Sequence, residues 1–191
     1  MRTGRNNKNG GFSLVELIIV VAIMAIVVGV MGLSVGTLTG RKTAKCADEI
    51  VSTLERARVL TLGKEQNQVE FLLMQDGSTG EYHAQIYQSG TMVTNRIVGK
   101  DPIRIEVYFA NNDGPYSLSE LKGTLPYAST SKGLHLVFNR ASGAFEEKTC
   151  AVGDSPSDIK DYCDKIVISN SDRTRTITIT TVGRTGKILK N

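Results

Sequence analysis

Three regimes of hydrophobic patterning follow one another along the chain. Across 17–40 no residue is charged, and apolar side chains fall on every face of a helix. From Thr43 onward the apolar residues Ala47, Ile50, Val51, Leu54, Ala57 and Leu60 recur at steps of three and four. Lys45, Asp48, Glu49, Glu55 and Arg58 occupy the other faces. The pattern predicts one long helix, apolar all round in its first half and amphipathic to about Lys64, with Gly63 as its stop. The stripe is too short to sustain a coiled coil. Then come short runs rich in Val, Ile, Tyr, Phe and Thr, which predict strands at 68–73, 82–88, 92–98, 103–109, 134–139, 165–169 and 174–181. Asp76-Gly77, Ser89-Gly90 and Ser142-Gly143 supply hairpin turns, and the polar stretch 111–132 reads as a surface loop. The fold class is therefore α+β: one long helix whose amphipathic half packs on an antiparallel sheet.

The uncharged run is long enough to cross a hydrocarbon core as a helix. Arg2, Arg5 and Lys8 precede it, which places residues 1–11 in the cytoplasm and the part after Arg41 outside. A secretory signal peptide has a shorter apolar core ending in a small-residue cleavage site, and a plain signal anchor remains the alternative. Glu16 is the anomaly. An ionised, unpaired carboxylate at the start of an apolar segment costs several kcal/mol in lipid, so it calls for a partner. Gly29, Gly32, Gly36 and Gly40 lie three or four apart, near one helix face, and weaken that helix locally.

Charge and cysteines narrow the reading further. The formal net charge is +4, but the first eleven residues carry three bases and no acid, so the remainder stands at 4 − 3 = +1. Much of the apparent affinity for nucleic acid or anionic lipid thus belongs to the amino-terminal segment. Cys46, Cys150 and Cys163 are too sparse for a disulfide framework or a paired metal site. Cys150 and Cys163 flank a polar excursion between two strands. Either they close it with a disulfide, contributing roughly 3 kcal/mol, or they are two reduced thiols.

Gly10-Gly11-Phe12-Ser13-Leu14-Val15-Glu16-Leu17 resembles the processing signal of type IV pilins and pseudopilins. The resemblance implies cleavage after Gly11 by a prepilin peptidase, N-methylation of the new terminus Phe12, and an assembly role for Glu16. In that role Glu16 neutralises the amine of a neighbouring subunit's Phe12. It implies four segments: a leader (1–11), a membrane and assembly helix (12–40), its amphipathic continuation (41–64) and a β-rich pilin-like domain (65–191). Within the family, Phe138-Asn139-Arg140-Ala141-Ser142-Gly143, Ile166-Val167-Ile168-Ser169 and Thr176-Ile177-Thr178-Ile179 leading to Val182-Gly183-Arg184 are similar to the GspH/FimT minor pseudopilins. The excursion from Cys150 to Cys163 and the stretch around Pro115 and Pro126 depart from that pattern.

Catalysis finds no support in the residues. His83 and His135 sit in separate strands without metal-ligand spacing, and they read as ordinary strand side chains. Gly183-Arg184-Thr185-Gly186-Lys187 has the wrong spacing for a phosphate loop and lacks a following helix. The expectation is a non-enzymatic assembly subunit with no cofactor, metal or small-molecule substrate. Its partners are the prepilin peptidase, other pilin subunits and the membrane. A rival reading joins Arg173, Arg175, Arg184, Lys187 and Lys190 on one face of antiparallel strands, where they would contact nucleic-acid phosphates. A solvated sheet edge is the favoured account of the same charges.

Overall fold

The computed structural model describes residues 13–63, 69–124, 131–153 and 155–191, with the side chains of 30–39 and of residue 156 set aside. The chain forms two compact units, Met1–Leu38 and Thr39–Asn191. A single helix, α1 (Leu14–Gly63), supplies the secondary structure described in the first unit and opens the second. Ser13 caps it: the Leu17 amide donates to the Ser13 carbonyl at 3.2 Å, and the Glu16 amide donates to Ser13 Oγ at 3.2 Å.

In the second unit the three-four periodicity becomes a buried stripe. Cys46, Ala47, Ile50, Leu54 and Ala57 are buried, and Val51 and Leu60 pack half-buried beside them. Thr53 and Thr61 also face inward, each hydroxyl donating to the carbonyl four residues earlier (Glu49 at 2.7 Å, Ala57 at 2.9 Å), so neither carries an unmet donor into the core.

Among the described residues twelve strands follow: β1 (Val69–Gln75), β2 (Glu81–Gln88), β3 (Thr91–Lys100), β4 (Arg104–Phe109), β5 (Asp113–Ser117), β6 (Lys122–Gly123), β7 (Leu134–Val137), β8 (Cys150–Ala151), β9 (Ile159–Lys160), β10 (Cys163–Ser169), β11 (Thr176–Val182) and β12 (Lys187–Lys190). They form three antiparallel sheets, ordered β3-β2-β1-β7, β12-β11-β10-β4-β5 and β6-β8-β9. The first sheet turns Phe71, Leu73, Ala84, Ile86, Leu134 and Leu136 into the core, and the second contributes Ile105, Val107, Ile166, Ile168 and Ile179. The stripe of α1 belongs to the same core cluster. Arg96 of β3 meets Glu49 at 2.7 Å, and Lys190 of β12 pairs with Asp48, so one edge strand of each large sheet is tied to adjacent residues of α1.

The α+β class and the seven longer strands agree with the sequence reading, and the stretch just after Gly63, where the helix was expected to stop, lies outside the described residues. Two features differ. The core is shared by two large sheets rather than one, since a single helix stripe covers two inner faces at once. The stretch 111–132 is not simply a loop: it holds β5, paired to β4, and β6. Gly114, Pro115 and Gly123 obscure the strand pattern, yet Tyr116 packs on Phe109 with ring centroids 6.0 Å apart. The short strands β8, β9 and β12 also escape the periodicity, being too brief to alternate.

Leu54 is fully buried beneath the sheets, whereas Val59 on the same helix is 67% exposed. Leu54→Ala is expected to lower the unfolding free energy by about 2–5 kcal/mol. Val59→Ala should shift it by less than about 0.5 kcal/mol. Equilibrium denaturation of the two variants checks the difference.

Candidate assembly site and basic surface

The amino-terminal part of α1 is built from residues that a lone soluble helix does not expose. Leu14, Val15, Leu17, Ile18, Ile19, Val21, Ile23, Met24, Ile26 and Val28 are all more than half exposed. Apolar side chains thus point outward all round, and only another apolar medium, lipid or protein, would cover them. Among the described residues no helix is long and apolar enough to cross a membrane.

Glu16 lies in the first turn of this helix, the only acid there. Its amide is satisfied by Ser13, and its exposed carboxylate has no partner among the described residues. The helix amino terminus, with its unpaired amides, favours negative charge at this position. Gly11 and Phe12, the two cleavage positions, lie outside the described residues. The site is therefore a lone carboxylate on an apolar helix just after the expected cut, suited to meeting a cation supplied from elsewhere.

The five basic residues near the carboxy terminus do not share one face. Arg173 and Arg175 precede β11, in a turn where Arg173 adopts φ 56°; Arg173 pairs with Glu106 at 2.7 Å. The Arg175 side chain lies against Gly40, with its Nε 3.0 Å from where a Cβ would stand. Arg184 sits at the opposite end of β11, in a turn whose Thr185 carbonyl accepts from Arg58 Nη2 at 2.9 Å, and Lys187 opens β12 just after it. Gly40 and Arg58 are eighteen helical positions apart, about 27 Å at 1.5 Å per residue. Lys190 is drawn to Asp48. The strand predicted at 174–181 begins only at Thr176, so the alternation that would have aligned Arg173 with Arg175 does not apply.

Gly183 of the closing Gly-Arg motif has a structural cause: the Tyr162 ring lies on it, 2.8 Å from where a Cβ would be. Gly186, at φ +64°, packs its backbone directly on the Gly143 carbonyl, joining two turns. Neither arrangement resembles a phosphate cradle.

Sequence reasoning missed the most buried polar cluster. His135 of β7 and Glu70 of β1 form an ion pair with side chains 0% and 1% exposed, His135 Nδ1 against Glu70 Oε1. His135 Nε2 donates to the Ser131 carbonyl at 2.9 Å. The His135 amide donates to Cys150 Sγ at 3.0 Å, and its carbonyl accepts from Thr149 Oγ1 at 2.7 Å and from the Cys150 thiol at 3.2 Å. Side chains of the 149–150 segment thereby take the bonds a further strand would make, closing this sheet edge. The available signal was one polar residue within each apolar run, Val69-Glu70-Phe71 and Leu134-His135-Leu136.

Of the two readings of Cys150 and Cys163, the structure has the free thiols; no bridge is formed, and Cys46 is free as well. All three are buried, and burial pushes Cys46 and Cys150 up to about 12 and Cys163 higher still. Such thiols carry almost no thiolate near neutral pH. Among the described residues no cluster of His, Cys, Asp and Glu could hold a metal ion.

With this geometry in place, comparison with known families has a bearing. Residues 6–32 match the prokaryotic N-terminal methylation motif, the signature of type IV pilins and pseudopilins. That match supports prepilin processing, and the long amino-terminal helix leading into antiparallel sheets is consistent with a pilin-like fold. The match ends within α1, and no curated protein or solved structure gives a significant match to the chain.

Two outcomes follow. His135→Ala should cost about 3–5 kcal/mol in equilibrium unfolding because it strands a buried carboxylate, whereas Glu70→Leu with His135→Leu should cost far less. Titration with a thiol reagent at pH 8 should find no reactive group in the folded protein and three after denaturation; one group after denaturation would mean a Cys150–Cys163 bridge.

Proposed function

We propose that this protein is a minor subunit of a type IV pilus or of a type II secretion-like pseudopilus, of the GspH/FimT kind. The observation that carries the reading is the coincidence of the methylation motif at 6–32 with an unpartnered Glu16 on an all-apolar helix. In this reading the precursor enters the membrane with residues 1–11 in the cytoplasm and the β-rich unit outside. A prepilin peptidase cuts between Gly11 and Phe12 and methylates Phe12.

The new amine and Glu16 then become each other's natural counter-charges across subunits. A lone amine or a lone carboxylate in an apolar interior is costly; paired, the two cancel much of that cost and fix the axial offset between neighbours. The remaining apolar faces of α1 are covered first by lipid and then by neighbouring helices. The β-rich unit, stabilised by its own core, rides on the outside of the filament.

Intact mass and amino-terminal sequencing of membrane-extracted protein, with and without the prepilin peptidase, test the processing step. A peptidase-dependent start at N-methylated Phe12 is expected. Retention of residues 1–11 in the presence of active peptidase would instead make the chain a signal-anchored extracytoplasmic domain. Glu16→Ala should be cut and inserted like the parent but fail to enter filaments; normal incorporation would remove Glu16 from the mechanism.

A further inference from the structure

A cavity of about 280 Å³ opens beside α1 at the start of the β-rich unit, lined by Lys42 and Lys45 of the helix and by Lys100 at the end of β3. Its floor is apolar, with Val98 and Ile103 buried and Ile97 more exposed beside them. Two backbone features bring the lysines to one place. The ladder between β2 and β3 slips at Val98, since Tyr82 stands opposite Gly99 and His83 opposite Ile97, and a bulge of this kind bends its strand and re-aims the side chains next to it. Gly99 then lies close on the helix: a Cβ there would stand 3.1 Å from Cys46 Sγ, so a larger residue would push Lys100 away from Lys42 and Lys45.

None of the three lysines has an ion pair among the described residues, whereas Arg96, Lys160, Arg173 and Lys190 of the same unit each meet a carboxylate. The two acids at the cavity do not answer them. Glu81 stands opposite Lys100 across the ladder, yet its carboxylate lies 3.9 Å from His83 Nε2 instead, and Asp101 Oδ2 lies against Gly80 in the turn before β2. Unanswered ammonium groups around one recess with apolar walls concentrate positive potential there, and a compact anion such as a phosphate relieves it.

Position along the helix indicates the source of that anion. Lys42 and Lys45 are two and five residues beyond the uncharged run 17–40, or about 3 and 7.5 Å at 1.5 Å per residue. The headgroup layer on each side of a bilayer is about 5–8 Å deep. With 17–40 in the hydrocarbon core, both helix lysines stand at the depth of the lipid phosphates.

We propose that this cavity binds the phosphate of an anionic phospholipid headgroup through Lys42, Lys45 and Lys100, holding a lipid at the point where α1 leaves the membrane. The proposal rests on the membrane reading of 17–40 given above.

Acylation of lysines by a water-soluble succinimidyl ester, read residue by residue by mass spectrometry on the full chain in lipid nanodiscs, tests it. In discs of equal parts phosphatidylcholine and phosphatidylglycerol, Lys42, Lys45 and Lys100 are expected to react roughly fivefold more slowly than in phosphatidylcholine alone, as about 1 kcal/mol of contact per lysine would give. Lys187, beside the turn held by Arg58, is about 27 Å further along α1 than Gly40, beyond a screening length of about 10 Å, and should be unchanged. Lys100→Gln should return Lys42 and Lys45 to their phosphatidylcholine rates. Equal rates in the two lipids, equal slowing at Lys187, protection of Lys42 and Lys45 without Lys100, or protection that survives Lys100→Gln would each overturn the inference. So would protection by inorganic phosphate in phosphatidylcholine discs, which would mean a site for small anions. A chain that enters neither disc fails the membrane reading itself, and the proposal with it; a chain that enters with its lysines unprotected fails the proposal alone.

Discussion

A single apolar stripe on α1, from Cys46 to Ala57, is the surface on which the β-rich unit depends. Each large sheet has a core face rich in Leu, Ile, Phe and Val, and neither can bury that face alone. The stripe lies in the core of both, and the flanking ion pairs Glu49–Arg96 and Asp48–Lys190 tie an edge strand of each sheet to the helix. Those pairs are partly exposed and contribute little energy by themselves. Their placement sets orientation while the buried stripe supplies the stability. The small sheet and the segment leading into β7 then cover what remains: Leu72 and Val137 are buried on a face of the first sheet away from α1, with the Gly133 backbone packed on Leu72 and Gly123 against the His135 ring.

The elements legible in the sequence are those whose periodicity is long enough to be unambiguous. Six apolar positions at helical spacing define the face of α1, and seven runs of β-branched and aromatic residues locate the long strands. The glycine turns at Ser89-Gly90 and Ser142-Gly143 stand where left-handed backbone is needed, with Gly90 at φ +78° and Gly143 at φ +67°. What the pattern could not carry was a brief strand, a strand masked by glycine and proline such as β5, or anything fixed by tertiary contact. Strands β6, β8 and β9 are defined by their neighbours alone, and the Glu70–His135 pair joins residues sixty-five positions apart. The placement of the basic residues escaped the sequence for a related reason. Proximity in sequence suggested one face, but the seven residues of β11 carry Arg175 towards Gly40 and the turn holding Arg184 towards Arg58, eighteen positions further along α1.

Glu16 and Glu70 make an instructive pair, because each is the single acid in an otherwise apolar stretch and each must find a counter-charge. Glu70 finds His135 on the neighbouring strand, and the buried pair locks the register of β1 against β7 within one chain. Glu16 finds none among the described residues. The Ser13 hydroxyl already satisfies the amide that a carboxylate side chain might otherwise have answered, and the surrounding side chains are aliphatic. A polar group so placed disfavours the isolated subunit relative to any state that pairs it. Its requirement therefore acts in the same direction as the exposed leucines, isoleucines and valines around it, which also gain from being covered. The physical difference between the two glutamates is where the partner comes from: Glu70 has its partner on the neighbouring strand, and in the proposed function Glu16 takes the amine that processing would release, on this subunit or the next. The β-rich unit can accordingly be complete and stable while the amino-terminal helix remains uncovered, which is the division of labour that the proposed assembly role would require of a precursor.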